Sequence, residues 1–142
     1  MTTTVKFDGA ARGNPGPAAI GYVVESENCR EEENEYLGRA TNNVAEWTAL
    51  LRAVEMAVEE GCTSVRAVGD SEVVVKQMQG EYDVNDQKLI PLYDETKKVV
   101  AEFDQFEIDW VSREGNTRTD ELANEALDER DETHGTFVFS SD

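Results

Sequence analysis

Four short motifs spread along the chain each carry one carboxylate: Phe7-Asp8-Gly9, Asn43-Val44-Ala45-Glu46, Gly69-Asp70-Ser71 and Asn116-Thr117-Arg118-Thr119-Asp120. If folding brings these four acids together, their like charges repel strongly at contact distance, and a cation is needed among them. Carboxylate oxygens with no histidine or thiol partner favour Mg²⁺ or Mn²⁺ over zinc. Two such ions, about 3.5–4 Å apart, would activate a water and stabilise the leaving oxygen of a phosphodiester.

Three of the four acids also have an ordinary structural explanation when each is taken alone. Asp8 precedes a glycine and could begin a turn. Asp70, before Ser71, could cap a helix, and Asp120 lies three residues after Thr117, as in a capping box. Their occurrence together is what favours a shared metal site.

Glu46 is harder to explain structurally. It falls on the same helical row as Leu50, Ala53 and Ala57, so its carboxylate projects from the core-facing side of a predicted helix. An unpaired charge in that position is costly. Glu46 is therefore expected to bind something cationic.

The periodicity of the chain predicts the elements that must position these acids. Strands are predicted over Thr3–Asp8, Ala18–Glu25, Glu33–Arg39, Ser64–Gly69 and Phe106–Ser112, and helices over Asn43–Glu60, Ser71–Gln79, Leu89–Phe103 and Thr117–Leu127. Residues 9–17, with three glycines and two prolines, are expected to interrupt the first strand. An acidic connection that includes Glu31 and Glu32 is expected to lead into the third.

This order predicts an α/β fold with a mixed five-stranded sheet and helices on both faces. The first three strands form an antiparallel meander, and crossovers through helices make strands one, four and five parallel neighbours. Asp8 and Asp70 then lie at adjoining carboxyl ends of strands, where open α/β sheets bind their ligands.

The composition indicates a single acidic domain. The chain has 142 residues and a formal net charge of −18, with a sequence pI of about 4.3. Such a charge argues against nucleic-acid binding in dilute solution, but the Debye length is only about 3 Å at 1 M salt, where the repulsion is screened. Acidic residues scattered through well-patterned helices and strands therefore indicate a protein that works in concentrated salt. The alternative is an ordinary acidic protein of dilute cytosol.

No apolar run is long enough to span a bilayer, and the N-terminal residues lack a basic stretch followed by an apolar one. We therefore expect a soluble, cytoplasmic protein, a monomer without an obligate protein partner. Cys29 and Cys62 are expected to be ordinary thiols.

In order and register, these motifs closely resemble those of type 1 ribonuclease H, over about Val5 to Leu127. The specific segments are Asp8-Gly9-Ala10-Ala11-Arg12-Gly13-Asn14-Pro15-Gly16-Pro17 and Thr41-Asn42-Asn43-Val44-Ala45-Glu46. The resemblance implies a metal-dependent endonuclease that cuts the RNA strand of RNA/DNA hybrids and leaves 5′-phosphate and 3′-hydroxyl ends. It implies that Asp8, Glu46, Asp70 and Asp120 hold two Mg²⁺ or Mn²⁺ ions.

The resemblance also implies a substrate surface. The Gly9 backbone, Asn14, Asn42 and Asn43 would line the minor groove, where neutral amides can bond the 2′-hydroxyls that distinguish RNA from DNA. The remaining substrate candidates are Arg12, Thr41, Ser71, Glu72 and Asn116.

The chain departs from many relatives in three places. Glu114 stands in the loop where many carry a histidine, as in the branch that uses a glutamate there, and would help metal exchange and product release. Glu72 replaces a glutamine, and residues 80–88 lack a basic handle. Binding of the DNA strand would then depend on scattered basic side chains such as Lys76, Arg113 and Arg118. His134 lies outside the motifs; we expect a surface histidine.

Residues 1–127 are predicted to form the catalytic domain, and 128–142 an acidic, then apolar, C-terminal tail. Two alternatives remain open: a nuclease of the same fold that also cuts double-stranded RNA, and a nucleic-acid-binding module that has lost catalysis. The presence of all four carboxylates argues against the second.

Overall fold

The structure is a computed structural model that describes the backbone of residues 2–141 and the side chains of residues 2–130. Its centre is one five-stranded sheet in the order β3-β2-β1-β4-β5. The strands are β1 Thr3–Ala11, β2 Gly16–Glu25, β3 Arg30–Ala40, β4 Ser64–Gly69 and β5 Gln105–Trp110. β1 pairs antiparallel with β2 and β2 with β3, whereas β1–β4 and β4–β5 are parallel. The predicted mixed sheet is confirmed.

Four α-helices and one short 3₁₀ turn connect and cover the strands. They are α1 Asn42–Glu59, α2 Glu72–Met78, α3 Ile90–Val100 and α4 Thr117–Ser141, with the 3₁₀ turn at Arg113–Asn116 between β5 and α4. None of the helices in the described part of the chain is long and apolar enough to cross a membrane. Both cysteines, Cys29 and Cys62, are free thiols as predicted.

The two faces of the sheet carry separate apolar cores. On one face, the fully buried Phe7 and Ile20 pack in the same cluster as Trp47 and Leu50 of α1. On the other face, Ala19 packs with Ala126 and Leu127 of α4. α4 comes close enough because Gly21 has no side chain: a Cβ there would overlap the Thr119 carbonyl. Helices therefore cover both faces, as the fold class predicted.

The prediction that β1 stops at Asp8 was wrong. Gly9, Ala10 and Ala11 continue the ladder opposite Ile20, Ala19 and Ala18 of β2. Only residues 12–15 form the connection, because the glycine- and proline-rich segment supplies one tight turn and leaves the flanking residues free to pair.

The prediction that Glu31 and Glu32 belong to an acidic connection before β3 was also wrong. β3 begins at Arg30, and its acids pair with β2, Glu31 opposite Val24 and Glu32 opposite Val23. β3 is an edge strand of the sheet, where charged side chains are tolerated and discourage pairing with other chains.

The last helix continues beyond the predicted end at Leu127, to Ser141. Residues 118–134 contain neither proline nor glycine, so nothing in that stretch forces the helix to stop. The boundary between a domain at 1–127 and a tail at 128–142 stays a prediction. The side chain of His134 lies outside the described side chains.

Candidate active site

Asp8 and Asp70 come from parallel neighbouring strands. Phe7 of β1 lies opposite Gly69 of β4, so the residues that follow them, Asp8 and Asp70, emerge at the same edge of the sheet. Asp8 is 5% exposed. The carbonyl of Asp70 accepts a hydrogen bond from Trp110 Nε1 at 3.2 Å, and its Oδ2 lies 3.9 Å from Arg113 Nε. The predicted adjacency of the two acids is present.

Glu46 reaches the same place from the first turns of α1. Thr41 caps this helix by accepting a hydrogen bond from the Val44 N–H at 3.2 Å. Glu46 is 8% exposed and its Oε2 is buried without a hydrogen-bond partner. The helix start lies against β1 because Gly9 has no Cβ, which would overlap the backbone of Ala45 and Glu46.

Three carboxylates thus converge from three separate elements. One oxygen each of Asp8, Glu46 and Asp70 lies within 4.8 Å of the others. Asp120 of α4 lines the same cavity but falls outside this triad. Its Oδ1 accepts a hydrogen bond from Asn124 Nδ2 at 3.3 Å.

The triad is a largely buried cluster of like charges. Burial raises the pKa of Asp8 to about 7, and the charges of Asp70 and Asp120 act in the same direction. Burial also raises the pKa of Glu46 well above its ordinary value, with the charge of Asp8 as the next cause. A divalent cation would offset both penalties. The buried, unpartnered Glu46 oxygen fits such an ion as a ligand.

Amide side chains form one wall of the cavity, which has a volume of about 580 Å³. Asn42 Oδ1 accepts from the Ala11 N–H at 3.2 Å, and the Asn42 N–H donates to Asn14 Oδ1 at 3.0 Å. Asn42 and Asn43 line the cavity, as does Gly9. These contacts join the β1–β2 turn to the start of α1 and hold the predicted groove residues together.

Arg12 also lines this cavity, but its charge is engaged. Its Nη2 lies 2.6 Å from Asp128 Oδ1 and 3.5 Å from Asn124 Oδ1, both on α4. Ser71, at the opposite side, caps α2 by accepting from the Val74 N–H at 3.4 Å and lines the cavity as well.

Five predicted residues do not line the cavity: Asn14 and Thr41, which bond the start of α1, and Glu72, Glu114 and Asn116. Asn116 is 1% exposed; its Nδ2 donates to the Phe7 carbonyl at 2.9 Å, so it ties the turn before α4 to β1 beside Asp8. Glu72 is exposed and lies 3.8 Å from Lys76. Glu114 is exposed on the 3₁₀ turn, and hydrogen bonds from its own backbone and from Ser112 lower its pKa.

Trp110 and Asn124 line the cavity without having been among the predicted site residues, and Arg113, predicted only as a scattered cation for the DNA strand, lines it as well. Their signal was positional. Trp110 ends β5 in register with Gly69, and Asn124 lies one helical turn after Asp120.

The chain matches the protein family described as Reverse transcriptase-like over residues 6–126. It is 45% identical over 125 residues to Ribonuclease HI of Halobacterium salinarum, covering 87% of this chain and 63% of that protein. It is 31% identical over 142 residues to Ribonuclease H of Maricaulis maris, covering 90% of this chain and 95% of that protein.

Solved structures agree. The crystal structure of RNase H1 from the halophilic archaeon Halobacterium salinarum superposes with a TM-score of 0.87 at 43% identity, covering 91% of this chain and 99% of that one. LC11-RNase H1 in complex with RNA/DNA hybrid gives a TM-score of 0.84 at 38% identity, covering 90% and 98%.

The chain therefore belongs to the ribonuclease H family, and within it to type 1, as the motifs predicted. It spans less than two thirds of several curated relatives, 63% of the Halobacterium protein and 36% of a bifunctional protein of Mycobacterium tuberculosis.

Proposed function

We propose that this chain is a divalent-metal-dependent endonuclease that cleaves the RNA strand of RNA/DNA hybrids and leaves 5′-phosphate and 3′-hydroxyl ends. The observation that carries the proposal is the triad of Asp8, Glu46 and Asp70, whose oxygens lie within 4.8 Å of one another and include a buried oxygen without a partner. A relative of the same fold, LC11-RNase H1, has been solved with RNA/DNA hybrid, which supports the same substrate class here.

Asp8, Glu46, Asp70 and Asp120 are the residues we assign to two Mg²⁺ or Mn²⁺ ions. When bound, such a pair activates a water and stabilises the leaving oxygen of the phosphodiester. Asp120 borders the triad on α4, where Asn124 holds its carboxylate. The ligands are oxygens alone, which suits hard cations.

The amide wall is assigned to substrate selection. Asn14, Asn42 and Asn43 offer neutral donors and acceptors that can bond 2′-hydroxyls and base edges of the minor groove. The Gly9 backbone lines the cavity beside these amides, and Thr41 fixes the helix start that carries the wall. These contacts orient the RNA strand over the carboxylates.

Glu114 is assigned to product release. Its carboxylate is exposed on the turn between β5 and α4 and is ionised at neutral pH. An exposed carboxylate that changes position could compete for the ions once the bond is cut. Asn116, by contrast, is better assigned to holding that turn against β1 than to the substrate.

A salt-rich cytoplasm is the setting we infer. The net charge of −18 supports it, as do the relatives from Halobacterium salinarum. Screening at molar salt shortens the Debye length to about 3 Å and lets an acidic protein approach a polyanion.

The direct test is cleavage of a hybrid labelled on each strand separately, in Mg²⁺ and in EDTA, at low and high NaCl. The proposal expects cuts in the RNA strand alone, only with metal, and 5′-phosphates that accept ligation. Double-stranded RNA and DNA duplexes of the same sequence are the controls. Equal cleavage of double-stranded RNA would favour the broader nuclease, and hybrid binding without cleavage would favour the non-catalytic module.

A further inference from the structure

Trp110 is an exposed aromatic residue inside a polar cavity. Four large apolar side chains are exposed among the described residues, namely Val73, Tyr82, Ile90 and Trp110, and Trp110 is the most exposed of them at 51%. Of these four, Trp110 alone lines the carboxylate cavity. Trp47, the other tryptophan of the chain, is fully buried in the core.

The position of the Trp110 ring is fixed rather than incidental. Trp110 ends β5 opposite Gly69 of β4, and its Nε1 donates a hydrogen bond to the Asp70 carbonyl at 3.2 Å. Because the one polar atom of the indole is engaged there, the part of the ring left exposed is flat carbon surface.

That carbon surface offers no ligand atom to a metal ion and no hydrogen-bond donor to a phosphate. The neighbouring carboxylates suit the metal ion, and Arg113 suits the phosphate. A flat apolar ring packs well against the apolar parts of a nucleotide. In a duplex the base faces are covered by their stacked neighbours, so the apolar surface within reach of the protein is the C–H surface of the sugars.

We propose that Trp110 is a substrate-contact residue whose indole packs against a ribose of the RNA strand beside the cleaved bond. The inference rests on the proposed function and names a contact within it. The amide wall of Asn14, Asn42 and Asn43 would bond polar edges of the hybrid, while Trp110 supplies the apolar contact beside Asp70. Two unlike contacts in the carboxylate cavity would together fix the register of the strand.

Three variants separate this role from simple support of Asp70. They are made in the Asp8→Asn background, where the hybrid is expected to stay intact. Trp110→Leu removes the flat ring, Trp110→Phe keeps a ring but loses the N–H bond to Asp70, and Tyr82→Leu makes the same type of change at a residue that is 47% exposed and outside the cavity lining.

Hybrid binding is measured by fluorescence anisotropy of a labelled hybrid at molar NaCl. Trp110→Leu should raise Kd about fivefold to tenfold, the low end of what aromatic stacking on a nucleotide contributes. Trp110→Phe and Tyr82→Leu should each change Kd less than about twofold. Equal losses in the Phe and Leu variants would overturn the proposal in favour of a supporting role through the indole N–H, and a Leu variant that binds normally would overturn it outright.

Intrinsic fluorescence gives a readout independent of affinity. Saturating hybrid should change the emission of the protein with both tryptophans and leave that of Trp110→Phe, which retains only the buried Trp47, unchanged. If hybrid binds and the emission stays constant, the contact is absent while the proposed function stands. If the parent protein binds no hybrid at all, the proposed function fails, and this inference with it.

Discussion

Two residues apart on α4, Arg118 and Asp120 belong to charged clusters of opposite composition. Around Arg118, acids are matched with arginine: its Nε and Nη2 each lie 3.0 Å from a Glu32 oxygen, and its Nη1 reaches Glu121 at 3.1 Å. Arg30 adds a second guanidinium, 2.9 Å from Glu32. Around Asp120, three further acids converge; burial raises the pKa values of Asp8 and Glu46, and one Glu46 oxygen is buried without a hydrogen-bond partner.

The pKa value of a carboxyl group in each cluster depends on whether its neighbours are arginines or other acids. Hydrogen bonds from Arg118 and then Arg30 lower the pKa of Glu32 to about 2, whereas burial and neighbouring acids raise that of Asp8 to about 7. The first cluster ties α4 to the edge of the sheet and needs nothing further. The second is a largely buried group of like charges, which a divalent cation would offset. On a protein with net charge −18, the informative acids are the buried ones whose pKa values the fold raises, here Asp8 and Glu46.

Neutralising one acid of the triad tests this contrast most severely. Asp8→Asn, Glu46→Gln and Asp70→Asn should each reduce hybrid cleavage by more than about a hundredfold, beyond the 10–100-fold that loss of an outer-shell partner typically costs. Each should also raise the free energy of unfolding of the metal-free protein, because repulsion is removed. Single-turnover cleavage and urea unfolding in EDTA measure the two effects.

Asp104→Asn and Glu33→Gln, at exposed positions away from the cavity, are the matched controls. They should leave both quantities nearly unchanged. A triad variant that keeps more than about a tenth of the wild-type rate would remove that residue from the metal ligands.

The amide wall should respond differently from either charged cluster. Asn14→Ala and Asn43→Ala should raise KM for hybrid several-fold with little change in metal affinity, because amides of the groove bind substrate and not the ions. Steady-state cleavage and Mn²⁺ titration measure the two. Weaker metal binding with unchanged KM would place these residues in the metal site instead.

Salt should affect the stability contributed by the two clusters in opposite directions, because it screens attraction in the first and repulsion in the second. High NaCl weakens the exposed ion pairs of Arg118 but relieves the mutual repulsion of the net charge of −18, and the larger excess charge should dominate. Tm should therefore rise from about 0.1 M to multimolar NaCl. Millimolar Mg²⁺ should replace part of this effect by binding the folded site. A Tm that is flat or falling with NaCl would contradict adaptation to high salt.

The pH dependence of stability should have opposite slopes for the two clusters. The folded-state pKa of Glu32 is about 2 against an ordinary 4.5, so its stabilisation is present above pH 4.5 and is lost as the pH falls toward 2. The folded-state pKa of Asp8 is about 7 against 3.8, so between those values the folded state holds a proton that the unfolded state has released, and stability falls as the pH rises.

Urea unfolding in EDTA across this range tests both slopes. Glu32→Gln should flatten the acidic limb, and Asp8→Asn should flatten the limb between about pH 4 and about pH 7. If the slope between about pH 4 and about pH 7 is unchanged in Asp8→Asn, burial does not raise the pKa of Asp8 in the folded protein.

Much of the fold and the triad could be predicted because the signals were local. The period of α1 placed Glu46 on the buried row, and the order of strands placed Asp8 beside Asp70. The errors arose where tertiary contacts override local preference. Gly9 to Ala11 stay in β1 because β2 offers partners, and Asn116 is buried because the Phe7 carbonyl needs a donor. Trp110 was missed because no local pattern distinguishes an exposed strand end from a buried one.

The most direct measurement is anomalous diffraction from crystals soaked in Mn²⁺. The proposed function predicts two anomalous peaks, about 3.5–4 Å apart, in contact with the carboxylates of Asp8, Glu46 and Asp70, and the loss of at least one of them in Asp70→Asn. A crystal that shows no peak in this cavity at saturating Mn²⁺, from a protein that still cuts hybrid in the same buffer, would contradict the assignment of the triad as the metal centre.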